Sequence, residues 1–281
     1  MTQGSTFYAA VMYDRYRMFA QGERGSIVMN KEDILVTRNL TKKYRKELAV
    51  DKVSMSIRSG DIYGFIGENG AGKSTYMRMV CGLAKPTEGE VELYGVSGKK
   101  GLQKARKNMG ALIENPAVYP NMTALENLEV QRRYLGIGRK DSENMLKELL
   151  ELVGLTDVGR KKARDFSLGM KQRLGLAIAL TGNPGFIILD EPTIGLDPVG
   201  KAELRNLLLK LNKEKGLTIF FSSHDLSEMQ RLATRYGFLH RGRLIKELTA
   251  QELEQDCSIQ GIDVEQYFLN LILKAGGEGK K

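Results

Sequence analysis

An α/β fold is predicted, with a parallel core sheet, an antiparallel β part and an inserted helical part, and three observations predict it. Between residues 34 and 95 the apolar residues mostly alternate, as in Val53-Met55-Ile57 and Val91-Leu93. Period two suits antiparallel strands with one wet face. Phe186–Leu189 and Leu217–Phe221 are instead short continuous apolar runs, bounded by polar residues and separated by a helical stretch. That is the pattern of parallel strands covered on both faces. Residues 115–165 read helical.

Taken in order, Ile34-Leu35-Val36 opens the strand pattern. A buried strand follows at Ile62–Ile66, then a glycine-rich loop and a helix from about Ser74 to Cys81, with Met77, Val80 and Cys81 in its packed face. In the helical part Met145, Leu149, Leu152 and Val153 fall on one face, with Asp141 or Ser142 placed to cap and Gly154 to stop. His240 precedes Arg241-Gly242-Arg243 in a strand–turn–strand pattern and reads as a surface imidazole. Residues 249–273 are amphipathic and lead into a Gly/Lys-rich end, so 249–281 reads as a helical tail. Residues 1–28 are aromatic and Met-rich without periodicity. Gly22-Glu23-Arg24-Gly25 is codable by a purine-rich run that resembles a bacterial ribosome-binding site. Translation is therefore expected to start at Met29, leaving 1–28 as an extension and 29–248 as the main domain.

Composition sets the outer bounds. The 281 residues carry 43 Lys+Arg against 34 Asp+Glu, a net charge of +9, with 42% hydrophobic and 27% charged residues. Wholesale disorder, collagen and coiled coil are excluded by that balance. Two distant cysteines, Cys81 and Cys257, exclude a disulfide scaffold and suit a reducing compartment. No stretch approaches the ~18 apolar residues of a spanning helix, and Asp14, Arg15 and Arg17 interrupt the run Phe7–Ala20. A cytoplasmic protein is expected. The positive charge suits nucleic acid, an anionic membrane surface or a plain solvated face, the last fitting pairs such as Lys99-Lys100 and Lys161-Lys162.

The chemistry starts at Gly67-Glu68-Asn69-Gly70-Ala71-Gly72-Lys73-Ser74-Thr75, which fits G-x-x-x-x-G-K-[ST] between a predicted strand and a predicted helix. Glycines let backbone N–H groups turn towards phosphate oxygens, and the helix N-terminus adds its dipole. Lys73 would reach the β- and γ-phosphates, and the Ser74 hydroxyl would ligate Mg²⁺. Phe186-Ile-Ile-Leu-Asp190-Glu191 is a buried strand ending in two acids. Asp190 there can hold a metal-bound water and Glu191 can polarise the attacking water. Asn30-Lys31-Glu32-Asp33 spells a guanine-reading pattern, yet it precedes the phosphate loop with no buried strand leading into it, so ATP is the expected nucleotide.

Several further segments stand in one family's order. Phe166-Ser167-Leu168-Gly169-Met170-Lys171-Gln172-Arg173 is similar to the Leu-Ser-Gly-Gly-Gln signature, with Leu168 and Met170 departing from it. Gly195-Leu196-Asp197 resembles the D-loop, His224 after Ser222-Ser223 the switch histidine, and Tyr44 the ring that stacks on adenine. Over about residues 33–245 the chain thus resembles the nucleotide-binding subunit of an ABC transporter, a P-loop NTPase cassette. The resemblance implies two cassettes sandwiching two ATP molecules, each phosphate loop facing the partner's Ser167 and Gly169. It implies Glu191 as general base, with His224 steadying the γ-phosphate, and membrane-spanning permease subunits as partners at the inner face of the membrane. A homodimer would then build two competent sites.

The family's glutamine between core and helical part is replaced here. Met109-Gly-Ala-Leu-Ile-Glu114-Asn115-Pro116 puts Glu114 in its place, where a carboxylate binds Mg²⁺ or its water but donates no hydrogen bond. This segment, with Tyr119-Pro-Asn-Met-Thr-Ala-Leu-Glu-Asn-Leu128 and Glu265-Gln-Tyr267-Phe268-Leu, resembles the bacitracin-resistance and lantibiotic-immunity branch. That implies an exporter of peptide antibiotics or similar amphiphiles. A soluble ABC ATPase acting on ribosome or DNA is the rival, which +9 would suit. No nucleic-acid partner is expected, because neither a second cassette nor a long coiled coil is present in this sequence.

Overall fold

A computed structural model describes residues 33–139 and 142–278. The segment 1–28 and the Met29 start lie outside the described residues. Strands β1 (Asp33–Tyr44), β2 (Glu47–Arg58) and β4 (Glu88–Leu93) form an antiparallel sheet in the order β2-β1-β4. A second sheet has the order β5-β6-β7-β3-β8-β9, with β3 (Ile62–Ile66), β5 (Met109–Leu112), β6 (Phe186–Leu189), β7 (Thr218–Ser223), β8 (Arg235–His240) and β9 (Arg243–Thr249). Its pairings are parallel except β8 with β9. The expected mixed core sheet and separate antiparallel sheet are both present.

The continuous apolar runs are explained by two different partners. Tyr63, Phe65, Phe186, Ile188 and Phe220 belong to one buried cluster; Ile62, Ile66, Ile187, Leu189, Ile219 and Phe221 belong to another. Alternate residues of the same strands thus feed opposite faces of the sheet. The first cluster takes in helix α1 (Lys73–Cys81) and the inner face of the antiparallel sheet. The second takes in α3 (Ala124–Tyr134), α4 (Glu143–Leu152), α5 (Leu168–Leu180), α6 (Pro198–Lys215) and the tail helices α8 (Ala250–Gln260) and α9 (Val264–Glu278). Two short helices complete the order, α2 (Lys99–Ala105) after β4 and α7 (Leu226–Gln230) after β7.

Helix α1 is fixed between the sheets by an aromatic cluster. Phe65 lies 5.2 Å from Tyr76 and 5.4 Å from Phe220 between ring centroids, and Tyr76 lies 6.0 Å from Phe220. Such pairs add ~0.5–1.5 kcal/mol each beyond area burial. The Tyr76 hydroxyl also hydrogen-bonds Thr37 Oγ1 at 2.9 Å, tying α1 to β1. Burial pushes that phenol far above its ordinary range, so it stays neutral. Leu146 and Leu149 of α4 and Val153 just after it form the buried face, whereas Met145 and Leu152 are only partly covered. Ser142 precedes α4 as expected, but its hydroxyl donates to Arg139 O instead of capping the helix.

Candidate functional site

Strands β5, β6, β7, β3 and β8 are adjacent and parallel, so their C-terminal ends share one edge. Ligands of open parallel sheets bind outside that edge. The phosphate loop leaves β3 there, Asp190 and Glu191 leave β6, and His224 leaves β7.

The loop is held from two sides. Gly72 sits at φ 103, and a Cβ on it would lie 2.2 Å from Ala49 O of β2. No residue with a side chain fits both that conformation and that approach. From the other side Gly242, in the β8–β9 turn, donates its N–H to Ala71 O at 2.9 Å. Lys73, 6% exposed, donates to Gly67 O at 2.5 Å and Glu68 O at 3.2 Å, and its Nζ stands 3.6 Å from Glu191 Oε1. Burial pushes this ammonium below the ordinary lysine range, and the Glu191 carboxylate opposes that shift. Glu68, Asn69 and Gly70 are exposed, while Ser74 and Thr75 are half-buried in the first turn of α1. That turn carries no acidic side chain, so the positive end of the helix is free to face an anion.

The two acids are organised by a serine that the motifs did not single out. Ser222 Oγ, fully buried on β7, donates to Asp190 Oδ1 at 2.6 Å and accepts the Glu191 N–H at 2.9 Å. The Asp190 N–H donates to Leu112 O at 2.8 Å. Glu191 has φ 50, a backbone conformation that costs ~1 kcal/mol or more for a residue with a side chain. The Ser222 hydrogen bond holds it there. Glu191 Oε2 lies 2.9 Å from His224 Nδ1, so its carboxylate bridges the lysine and the histidine. A base bridging a cation and an imidazole at a strand end can orient and deprotonate a water. Ser74 and Asp190 supply hard oxygen donors of the kind Mg²⁺ takes, and Asp190 is already oriented by Ser222.

Other expected residues lie elsewhere. Ser167 Oγ accepts the Met170 N–H at 3.2 Å and so caps α5. Gly169 faces Leu196, and Gly195, at φ 71, is so close to Leu168 that a Cβ would come 2.1 Å from its Cδ2. Asp197 caps α6 through the Gly200 N–H at 2.9 Å. Ser167 to Gly169 and Gly195 to Asp197 thus form one surface unit, joined to each other. Tyr44 closes β1 beside the Glu47 end of β2, is 44% exposed, and has Lys42 Nζ 4.9 Å from its ring centroid. Glu114, also with a positive φ, pairs its carboxylate with Arg78 of α1. His240 requires a correction: it is buried, not at the surface, and its Nδ1 stands 3.6 Å from Glu68 Oε2. Strand β8 lies inside the sheet, and the phosphate loop covers its end, where a Cβ on Gly67 would come 2.5 Å from Leu239 O.

Among the described residues no helix is long and apolar enough to cross a membrane. A family model described as ABC transporter matches residues 50–194. The chain is 45% identical over 222 residues to the bacitracin transport ATP-binding protein BcrA of Bacillus licheniformis, covering 79% of this chain and 72% of that protein. It is 42% identical over 214 residues to the lantibiotic transport ATP-binding protein SrtF of Streptococcus pyogenes, covering 76% and 90%. A solved ATP-binding subunit of an ABC transporter superposes with a TM-score of 0.76 at 27% identity, over 85% of this chain and 99% of that one. A dimeric cassette in a post-hydrolysis state bound to ADP and Pi superposes with a TM-score of 0.71 at 29% identity, over 77% and 98%. With a phosphate loop, paired acids and a histidine on one sheet edge, and relatives of this identity, the chain belongs to the ATP-binding cassettes of ABC transporters and is an ATPase.

Proposed function

We propose that this chain powers a membrane exporter of peptide antibiotics or similar amphiphiles, as an ATP- and Mg²⁺-dependent homodimer docked on permease subunits at the inner face of the membrane. The observation that carries the ATPase half is the Glu191 carboxylate set between Lys73 and His224 at the end of β6. The cargo class rests on the identity with the bacitracin and lantibiotic transport proteins.

Each residue then has a role set by its position. Backbone N–H groups of Gly67–Thr75 cradle the phosphates, and Lys73 neutralises their outer charge. Ser74 and Asp190, with Glu114, would hold Mg²⁺. When bound, the metal neutralises charge developing on the phosphate oxygens. Glu191 takes the proton of the attacking water, and His224 orients that carboxylate and the γ-phosphate. Tyr44 stacks on adenine. Ser167 and Gly169 complete the partner's site, and Asp197 lies at the same interface. Residues 115–165 form the helical part that receives the permease, and 249–281 a tail beyond the cassette of 29–248.

The test is capture of the tagged Glu191→Gln chain from its native host in mild detergent with ATP, read by mass spectrometry. Stoichiometric recovery of a multi-span membrane protein is expected. Recovery of ribosomal or DNA-associated proteins alone overturns the exporter reading.

A further inference from the structure

Arg78 is the one charged residue on α1 between Lys73 and Cys81. It lies four residues after Ser74, so the two share a helix face one turn apart. Its guanidinium pairs with Glu114 Oε1, both side chains being partly exposed. Glu114 reaches this point because β5 is the edge strand beside β6. Leu112, its last residue, accepts the Asp190 N–H, and two residues later the chain turns through φ 59 at Glu114. The carboxylate is thereby held on the guanidinium of the helix whose first turn carries Ser74, two residues after the strand end that accepts the Asp190 N–H.

Electrostatics makes this position demanding. A neutral glutamine would bring no charge towards a nucleotide, whereas Glu114 brings a full negative charge to the edge where Asp190 and Glu191 already stand. Like charges on one edge repel, the more so as a bound nucleotide displaces water, and an adjacent cation offsets that repulsion. An arginine in the last turn of α1 also suits the helix dipole, but the dipole asks for no carboxylate partner.

We propose that Arg78 is the positioning residue for Glu114: it holds the carboxylate against α1 as a neutral pair, so that this segment can approach the triphosphate without an unpaired negative charge. The inference rests on the reading of this sheet edge as the nucleotide site. It makes Arg78 and Glu114 a matched unit, in which the cation answers the acid that stands where the family has glutamine.

The experiment measures ATP affinity of the purified full chain in EDTA, by calorimetry, so that no metal and no turnover enter the reading. Arg78→Ala is expected to weaken ATP by about tenfold, because the carboxylate is left unpaired. Arg78→Lys should stay close to the parent, since it keeps the charge. The double variant Arg78→Ala/Glu114→Gln should recover the parent affinity, which a merely misfolded helix would not do. Unchanged affinity in Arg78→Ala overturns the proposal, as does a double variant as weak as Arg78→Ala alone. The metal contact of Glu114 is read separately, from the Mg²⁺ concentration needed for turnover by Glu114→Gln. If that is unchanged, Glu114 loses its metal role while the metal-free comparison still decides the pairing with Arg78.

Discussion

Two faces of this molecule carry its family motifs, and they are built on opposite plans. At the C-terminal edge of the parallel sheet the charged groups Lys73 and Asp190 are buried and held by partners within the chain, while His224 and the tip of the phosphate loop are exposed. Lys73 is 6% and Asp190 2% exposed, and Ser222, His224 and two loop carbonyls hold the charged atoms in place. On the other face Ser167 and Asp197 cap their own helices, and several apolar residues stand in solvent. Leu168 is 47%, Ile194 52% and Val199 64% exposed. The first face is preorganised for chemistry on a small charged ligand. The second has the exposed apolar residues of a surface that docks. In the proposed homodimer such a division would let one chain bind nucleotide while its second face meets the partner.

The sharpest way to break this comparison is to separate binding from chemistry. Glu191→Gln removes the base but keeps the shape, so turnover should fall ~10²–10⁴-fold with ATP affinity kept. Turnover within a factor of two of the parent would remove Glu191 from the role. The next effect belongs to the other face. Ser167→Asp keeps a good N-cap for α5 yet places a carboxylate where a partner's γ-phosphate would stand. In the Glu191→Gln background, ATP-dependent dimerisation should weaken about a hundredfold, as like charges at an interface do, with monomer ATP affinity unchanged. Analytical ultracentrifugation with and without ATP reads it, and an unaltered dimer would mean that Ser167 faces no phosphate. The smallest effect is at Tyr44, which is 44% exposed. Tyr44→Ala should weaken ATP by ~1 kcal/mol, the low end of base stacking, and equal affinity would remove the ring from the site.

Much of this was legible in the sequence because it depends on local rules. The strands Ile62–Ile66 and Phe186–Leu189 have the expected limits, and the helix after the phosphate loop starts one residue early, at Lys73. What periodicity could not give was which neighbour covers each residue. His240 reads as a turn-flanking surface residue until β8 is seen between β3 and β9 with the phosphate loop over its end. Leu146 and Met145 are adjacent apolar residues on α4, and only the packed partner decides which goes inside. Ser222 reads as an ordinary polar residue ending a strand, because its two hydrogen bonds cross to the two acids that follow β6, 31 and 32 residues away. The ion pair of Arg78 with Glu114 is hidden for the same reason.

The place of β5 in the sheet has a mechanical consequence. Helix α1 is gripped by both sheets, through Phe65, Phe220 and the hydroxyl of Thr37. Strand β5 has only four residues and a single neighbour, β6, yet it carries the chain out towards α3 and α4. Short edge ladders open at lower free energy than central ones. The phosphate loop is thus anchored by two sheets and the helical segment by one four-residue ladder, whose Gly110 lies so close to Ala179 of α5 that a side chain there would prise the two apart.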